Sequence, residues 1–98
     1  MNFDPQAGHE QQGIRTALVI SNTLFNQRTG LCILCPTTTK DKGFPFHKEI
    51  PAGLKVKGFV MTEQVKSIDY RARNIKFISK APTDLLDDVL ALIDAIIY

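Results

Sequence analysis

Three hydroxyls in a row, Thr37-Thr38-Thr39, follow an apolar run that ends at Pro36, and Lys40 and Lys42 come directly after them on either side of Asp41. Hydroxyl donors and cations on a rigid base suit phosphate oxygens, which accept hydrogen bonds and carry the charge to be balanced. A second group lies upstream: His9 and Glu10 in a polar stretch, then Arg15 at the mouth of the apolar run Thr16–Ser21. An arginine placed there is held more firmly than one at a loop tip, and its fork offers two donors to a phosphate. Cys32 and Cys35 form a C-x-x-C. Three residues apart on a strand they point to opposite faces, and without a second pair they make a weak zinc site. Buried thiols acting as small hydrophobes are expected instead.

The elements that must carry these groups are mostly strands. Met1–Phe3 reads as a strand stub, and Asp4–Gly13, punctuated by Pro5, Gly8 and Gly13, as a polar loop. Thr16–Ser21 is nearly continuous in apolar side chains, as a strand covered on both faces would be. Asn22–Gly30 is expected to be a polar connection with Phe25 as an anchor. Leu31–Cys35 and Phe44–Glu49 read as strands joined by the threonine–lysine loop, Ile50–Leu54 as an irregular link, and Lys57–Glu63 as a further strand. Gln64–Arg71 suggests a short strand plus turn, and Asn74–Ser79 a last strand. From Pro82 the pattern changes to helical spacing, with Leu85, Leu86, Val89, Leu90, Ile93, Ile96 and Ile97 on one broad face and Ala81 or Thr83 as the cap. Several short strands with one terminal helix imply a mainly β fold, a small open barrel plus a packed helix.

At 98 residues the chain is long enough for one core, so a single domain over residues 1–98 is expected. No signal peptide or membrane span is read in it. The most apolar segment, Leu85–Tyr98, is short and interrupted by Asp87, Asp88 and Asp94. A cytoplasmic protein is expected. The formal net charge of +2 hides an uneven distribution: residues 40–80 hold ten basic side chains against four acidic ones, whereas residues 81–98 hold four aspartates and no Lys or Arg. A basic body with an acidic terminal helix is compatible with an anionic partner docked on one face. Lys40, Lys42, Lys66, Arg71 and Arg73 are the candidate backbone contacts. Phe25, Phe44 and Tyr70 could stack on unpaired bases, although core packing is the commoner use of such rings.

Three blocks, in order, carry a resemblance. They are Asp4-Pro5-x-x-Gly8-His9-Glu10-Gln11-Gln12-Gly13-x-Arg15; Cys35-Pro36-Thr37-Thr38-Thr39 with Lys42-Gly43-Phe44-Pro45-Phe46; and Gln64-Val65-Lys66-Ser67-Ile68 with Arg71-Ala72-Arg73. Together they resemble the MazF/PemK toxins of bacterial toxin–antitoxin pairs. The resemblance implies a small SH3-like β-barrel of the MazF/PemK/CcdB type with a C-terminal helix, its first strand shortened here. It also implies a homodimer that cuts single-stranded RNA at short sequences with neither metal nor cofactor. The partner it implies is an antitoxin whose acidic tail covers the RNA groove. Carried over by position, Arg15 and Thr38 are the pair tied to cleavage in MazF-like members. The PemK-like set would fall on His9, on Met61 where an arginine is usual, and on Glu63 where an aspartate is usual. Glu10 and Gln64 join the basic residues as expected RNA contacts. Thr16 stands where the family usually has proline, and members usually begin about a dozen residues earlier. Two other readings stay open: a non-catalytic toxin of the same fold that binds a protein such as DNA gyrase, and a shortened, inactive member that only binds RNA or antitoxin.

Overall fold

The apolar run after Gly30 becomes the strand on which the others depend. The computed structural model describes residues 6–10, 13–73 and 75–98, with the backbone alone at 6–10, 13–15 and 76–77. β3 (Leu31–Thr38) is longer than the Leu31–Cys35 expected, and three strands pair with it. One edge takes β2 (Gly13–Val19) through Ala17–Pro36, Leu18–Cys35 and Val19–Leu34. The other edge is shared. β6 (Lys66–Asp69) holds its first half, from Leu31–Asp69 to Leu34–Lys66, and β5 (Phe59–Met61) holds its end, through Thr37–Val60 and Thr38–Phe59. β4 (His47–Glu49) adds to β5, while β1 (Gln6–Glu10) adds to β2 and β7 (Lys76–Phe77) to β1, all antiparallel. The fold is mainly β with a C-terminal helix, as expected.

Because side chains alternate along β3, its apolar residues are divided between two cores. Cys35 packs with Leu18, Ile50, Val56, Val60, Ala81, Leu85 and Val89 under the terminal helix. Cys32 packs with Val19 and Leu34 on the opposite face, with Ala17, Ile68 and Tyr70 around them. The two thiols are free and buried. Burial pushes Cys32 up to about 11; burial, with a smaller contribution from the negative charge of Glu63, pushes Cys35 up to about 12. Both are therefore protonated hydrophobes at neutral pH.

The structure corrects several expectations. The polar stretch after Pro5 is not a loop: Gln6–Glu10 is strand β1, whose backbone pairs with β2 from Gln6–Ala17 to Glu10–Gly13. Backbone pairing between two neighbouring chain segments overrides polar composition there. The Met1–Phe3 stub, read as the shortened first strand, lies outside the described residues. Asn22–Gly30 is not a plain connection either, since Thr23–Thr29 forms helix α1. Its signals are local. The Asn22 side chain accepts the Phe25 N–H at 2.8 Å as an N-cap, and Gly30 takes a left-handed φ of 75° to end the helix. Buried Asn26 then ties α1 to the sheet, accepting the Ser21 hydroxyl on its side chain and the Tyr70 hydroxyl, at 2.9 Å, on its carbonyl.

Further on, the expected strands Phe44–Glu49 and Lys57–Glu63 shorten to β4 and β5, and Thr62–Gln64 turns into a 3₁₀ helix; of the expected strand Asn74–Ser79, Asn74 lies outside the described residues and the rest shortens to β7. Helix α2 spans Thr83–Ile97, and its N-cap is Pro82, not Ala81 or Thr83. A missing N–H costs nothing at that end. Its buried stripe is narrower than the sequence pattern. Leu85 and Val89 are buried, worth about 1.5–3 kcal/mol each, while Leu90, Ile96 and Ile97 are exposed. Lys48 on β4 pairs with Asp88 on α2 at 3.2 Å. Among the described residues no helix is long and apolar enough to cross a membrane.

Candidate functional site

The bridging of β2 to β3 stops at Ala17–Pro36, and Pro36 has no N–H to give to the ladder. One step further out, side chains take over. The Thr37 hydroxyl lies 3.3 Å from the Thr16 carbonyl, which accepts from it, and also meets the Thr16 hydroxyl. Extending the same register by one more residue sets the backbone of Arg15 across from Thr38, with Gly8 of β1 on the other side of Arg15. The two residues that the sequence singled out from separate segments thus lie on neighbouring strands, each one residue beyond the Thr16–Thr37 contact.

The Thr38 hydroxyl is held by its own turn: it accepts the Lys40 N–H at 3.2 Å. Its oxygen is thereby fixed, and among the described residues its O–H has no acceptor. Thr37 lines a small apolar recess with Leu18, Val60 and Leu85, so Thr38, the next residue, stands on the sheet face away from α2. Lys66 is two residues from Ile68, which packs with Cys32 on that same face. Lys40 and Lys42 are exposed in the loop beyond Thr39. Asp41 between them folds back on the loop, its carboxylate accepting the Gly43 N–H at 2.9 Å. Cations therefore gather on and beside the Thr38 face, while the aspartates of α2 lie behind the sheet.

His9 and Glu10 lie on β1, opposite Ile14 and Gly13, so they join the hairpin that carries Arg15. Glu63 lies elsewhere, in the 3₁₀ turn after β5. Its carboxylate accepts from His47 Nε2 at 3.0 Å, and from the Gln64 amide at 3.5 Å. Partial burial pushes the Glu63 carboxyl upward, but the His47 hydrogen bond, its own backbone N–H, the His47 charge and Gln64 together outweigh it, leaving the carboxyl below its ordinary 4.5. The His47 side chain is only 4% exposed, and among the described residues its buried Nδ1 has no partner. The exposed ring of Phe44 meets it edge-on, with centroids 5.1 Å apart. His47, read from sequence as structural, is thus the anchor of Glu63. The link is made by β4–β5 pairing, which no sequence spacing announces.

Arg71 and Arg73 occupy the turn after β6. Arg71 donates to the Gln27 carbonyl at 3.0 Å, at the end of α1, and its guanidinium lies 5.7 Å from the Tyr70 ring centre. These contacts close the carbonyl end of α1, so Arg71 has structural work beside any ligand contact. Among the described residues no three His, Cys, Asp or Glu side chains cluster as metal ligands would.

Comparison with known proteins bears directly on this arrangement. Residues 1–97 match the family of PemK-like, MazF-like toxins of type II toxin-antitoxin systems. Over 73 residues the chain is 44% identical to the endoribonuclease toxin MazF of Escherichia coli (strain K12), a match covering 74% of this chain and 65% of that protein, just under two thirds of its length. It is 31% identical over 102 residues to the E. coli endoribonuclease PemK, covering 99% of this chain and 76% of that one. The fold superposes on a chain from a crystal structure of MazE-MazF from Deinococcus radiodurans with a TM-score of 0.90 and 33% identity, covering 98% of this chain and 92% of that one.

Proposed function

From the premise that this chain belongs to the PemK-like, MazF-like toxin family, we propose that it is an endoribonuclease toxin that cuts single-stranded RNA at short sequences. In this reading it acts without metal, as a homodimer in the cytoplasm, and is neutralised by an antitoxin whose acidic tail covers the same face. The relatives named as endoribonucleases and the neighbour solved with MazE support it. The observation that carries it is that Arg15 and Thr38 each stand one residue beyond the Thr16–Thr37 contact of β2 and β3, with the Thr38 O–H unengaged among the described residues.

The chemistry needs no external nucleophile. The RNA 2′-hydroxyl attacks the adjacent phosphorus, the bond to the 5′-oxygen breaks, and the products are a 2′,3′-cyclic phosphate and a 5′-hydroxyl. Charge builds on the non-bridging oxygens as the phosphorane forms. Arg15 supplies two charge-assisted donors to them and Thr38 a third. Arginine stays protonated at neutral pH, so its role is electrostatic, and proton transfer falls to His9 or Glu10 on the paired strand β1. Glu63 is drawn away from that task by His47. Lys40, Lys42, Lys66 and Arg73 contact the RNA backbone, with Arg71 and Gln64 at the edge of the same surface.

The test is to incubate the purified chain with a long single-stranded RNA under metal chelation and map the ends. Cuts at a short recurring sequence, with 5′-hydroxyl and cyclic-phosphate ends, are expected. Intact RNA that is nonetheless bound would favour the inactive binder, and intact, unbound RNA the protein-targeting toxin.

A further inference from the structure

We propose that Gly58 is a positioning residue for Thr38, an inference that rests on the reading of Thr38 given above. Gly58 stands at the entry to β5, one residue before Phe59, the partner of Thr38. Its φ is +109°, and a Cβ built on it would lie 2.1 Å from the Thr38 carbonyl oxygen, 2.9 Å from the Thr38 carbonyl carbon and 2.9 Å from the Thr39 Cα. All three are backbone atoms, so none can swing aside as the end of a side chain could. Nor is Gly58 free to retreat, because its carbonyl accepts the N–H of buried Ile50 at 2.8 Å.

The bare backbone of Gly58 therefore packs against the Thr38–Thr39 peptide with no room for a side chain between them. That peptide decides where the hydroxyl points. The Thr38 oxygen is fixed by the Lys40 N–H two residues on, and the chain between them passes through the atoms that Gly58 touches. A side chain at 58 would push this segment outward by an ångström or more and turn the O–H away from the phosphate. Isolated glycine next to a strand is a mark of such close backbone approach.

The molecule supplies its own control. Gly53, in the same connection between β4 and β5, has a φ of +91° with nothing within 4 Å of a built Cβ. Alanine at either position meets the left-handed penalty, but only alanine at 58 meets Thr38. Gly58→Ala, Gly53→Ala and Thr38→Ala are compared with the wild type on a short fluorescent single-stranded RNA, recording kcat, KM and thermal midpoint. For Gly58→Ala the expected result is a kcat lower by about 100-fold, the scale of a 1 Å misplacement, with KM little changed. Gly53→Ala should keep the wild-type kcat, its thermal midpoint lowered by the left-handed penalty alone.

Wild-type kcat for Gly58→Ala beside an inactive Thr38→Ala overturns the positioning role and leaves the endoribonuclease reading standing. Full activity of Thr38→Ala instead removes the reading on which the proposal rests. Equal kcat losses at 53 and 58 also overturn it, since they trace the effect to loop strain. Should Gly58→Ala fail to fold, a D-alanine introduced at 58 by chemical ligation puts its methyl on the other side of the residue, away from Thr38. A folded protein with wild-type kcat is expected, and a folded protein with a 100-fold lower kcat overturns the proposal.

Discussion

Thr16 and Thr37 meet hydroxyl to hydroxyl between β2 and β3, one residue inside the positions of Arg15 and Thr38. The contact is part-buried and falls where Pro36 leaves the ladder without a donor, so it holds the strands together where backbone pairing has stopped.

Removing one member of that pair should cost more than removing both. Thr37→Val leaves the Thr16 hydroxyl without its partner and is expected to lower stability by about 1 kcal/mol, whereas the Thr16→Val, Thr37→Val double variant recovers part of that loss. Urea unfolding of all four proteins measures the coupling. Additive losses would show that the hydroxyls do not act as a pair.

The His47–Glu63 pair predicts a pH dependence of stability. The Glu63 carboxyl lies below its ordinary 4.5 in the folded protein, so its stabilisation is fully present above pH 4.5 and is lost as pH falls through the folded value. Glu63→Gln abolishes the titration. The wild type should therefore exceed the variant by a few tenths to about 1 kcal/mol at neutral pH, with the gap closing in acid. A gap constant from neutral to acid pH would mean that the carboxylate is not the stabilised form.

Much of this was legible in the sequence, but unevenly. The heptad-like spacing after Pro82 announced α2, and the i, i+3 spacing of Cys32 and Cys35 placed them on opposite faces, because periodicity is local. Arg15 and Thr38 were marked by their motifs. Their juxtaposition was not, since it depends on the β2–β3 register. The Gln6–Glu10 strand was hidden because its residues are polar and only backbone pairing defines it. Helix α1 was signalled by Asn22 and Gly30 and was missed because seven residues carry too little periodicity. His47–Glu63 and Gly58–Thr38 are long-range contacts that no spacing encodes.

Helix α2 should respond to burial more than to apolar character. Leu85 is 3% exposed and Leu90 is 41% exposed. Leu85→Ala is expected to cost about 2–4 kcal/mol by opening the core, and Leu90→Ala about 0.5 kcal/mol or less. Comparable losses in thermal unfolding would mean that Leu90 is covered in solution.

The basic residues should separate into two kinds. Lys42→Ala is expected to weaken binding of single-stranded RNA and to reduce the slope of log affinity against log salt by about one, with stability unchanged. Arg71→Ala, which releases the Gln27 carbonyl, should lower stability by about 1 kcal/mol. Binding isotherms at several salt concentrations, beside urea unfolding, distinguish the two. An unchanged salt slope for Lys42→Ala would remove it from the RNA surface.

The most direct measurement of the central claim is the single-turnover rate at which Arg15→Ala and Thr38→Ala cut a defined single-stranded RNA under metal chelation, with folding checked by circular dichroism. Loss of one preorganised donor to a developing oxyanion is worth about 10²–10³-fold, so each folded variant should be slower by at least that factor. Two folded variants cutting at the wild-type rate would contradict the assignment of Arg15 and Thr38 as the cleaving pair.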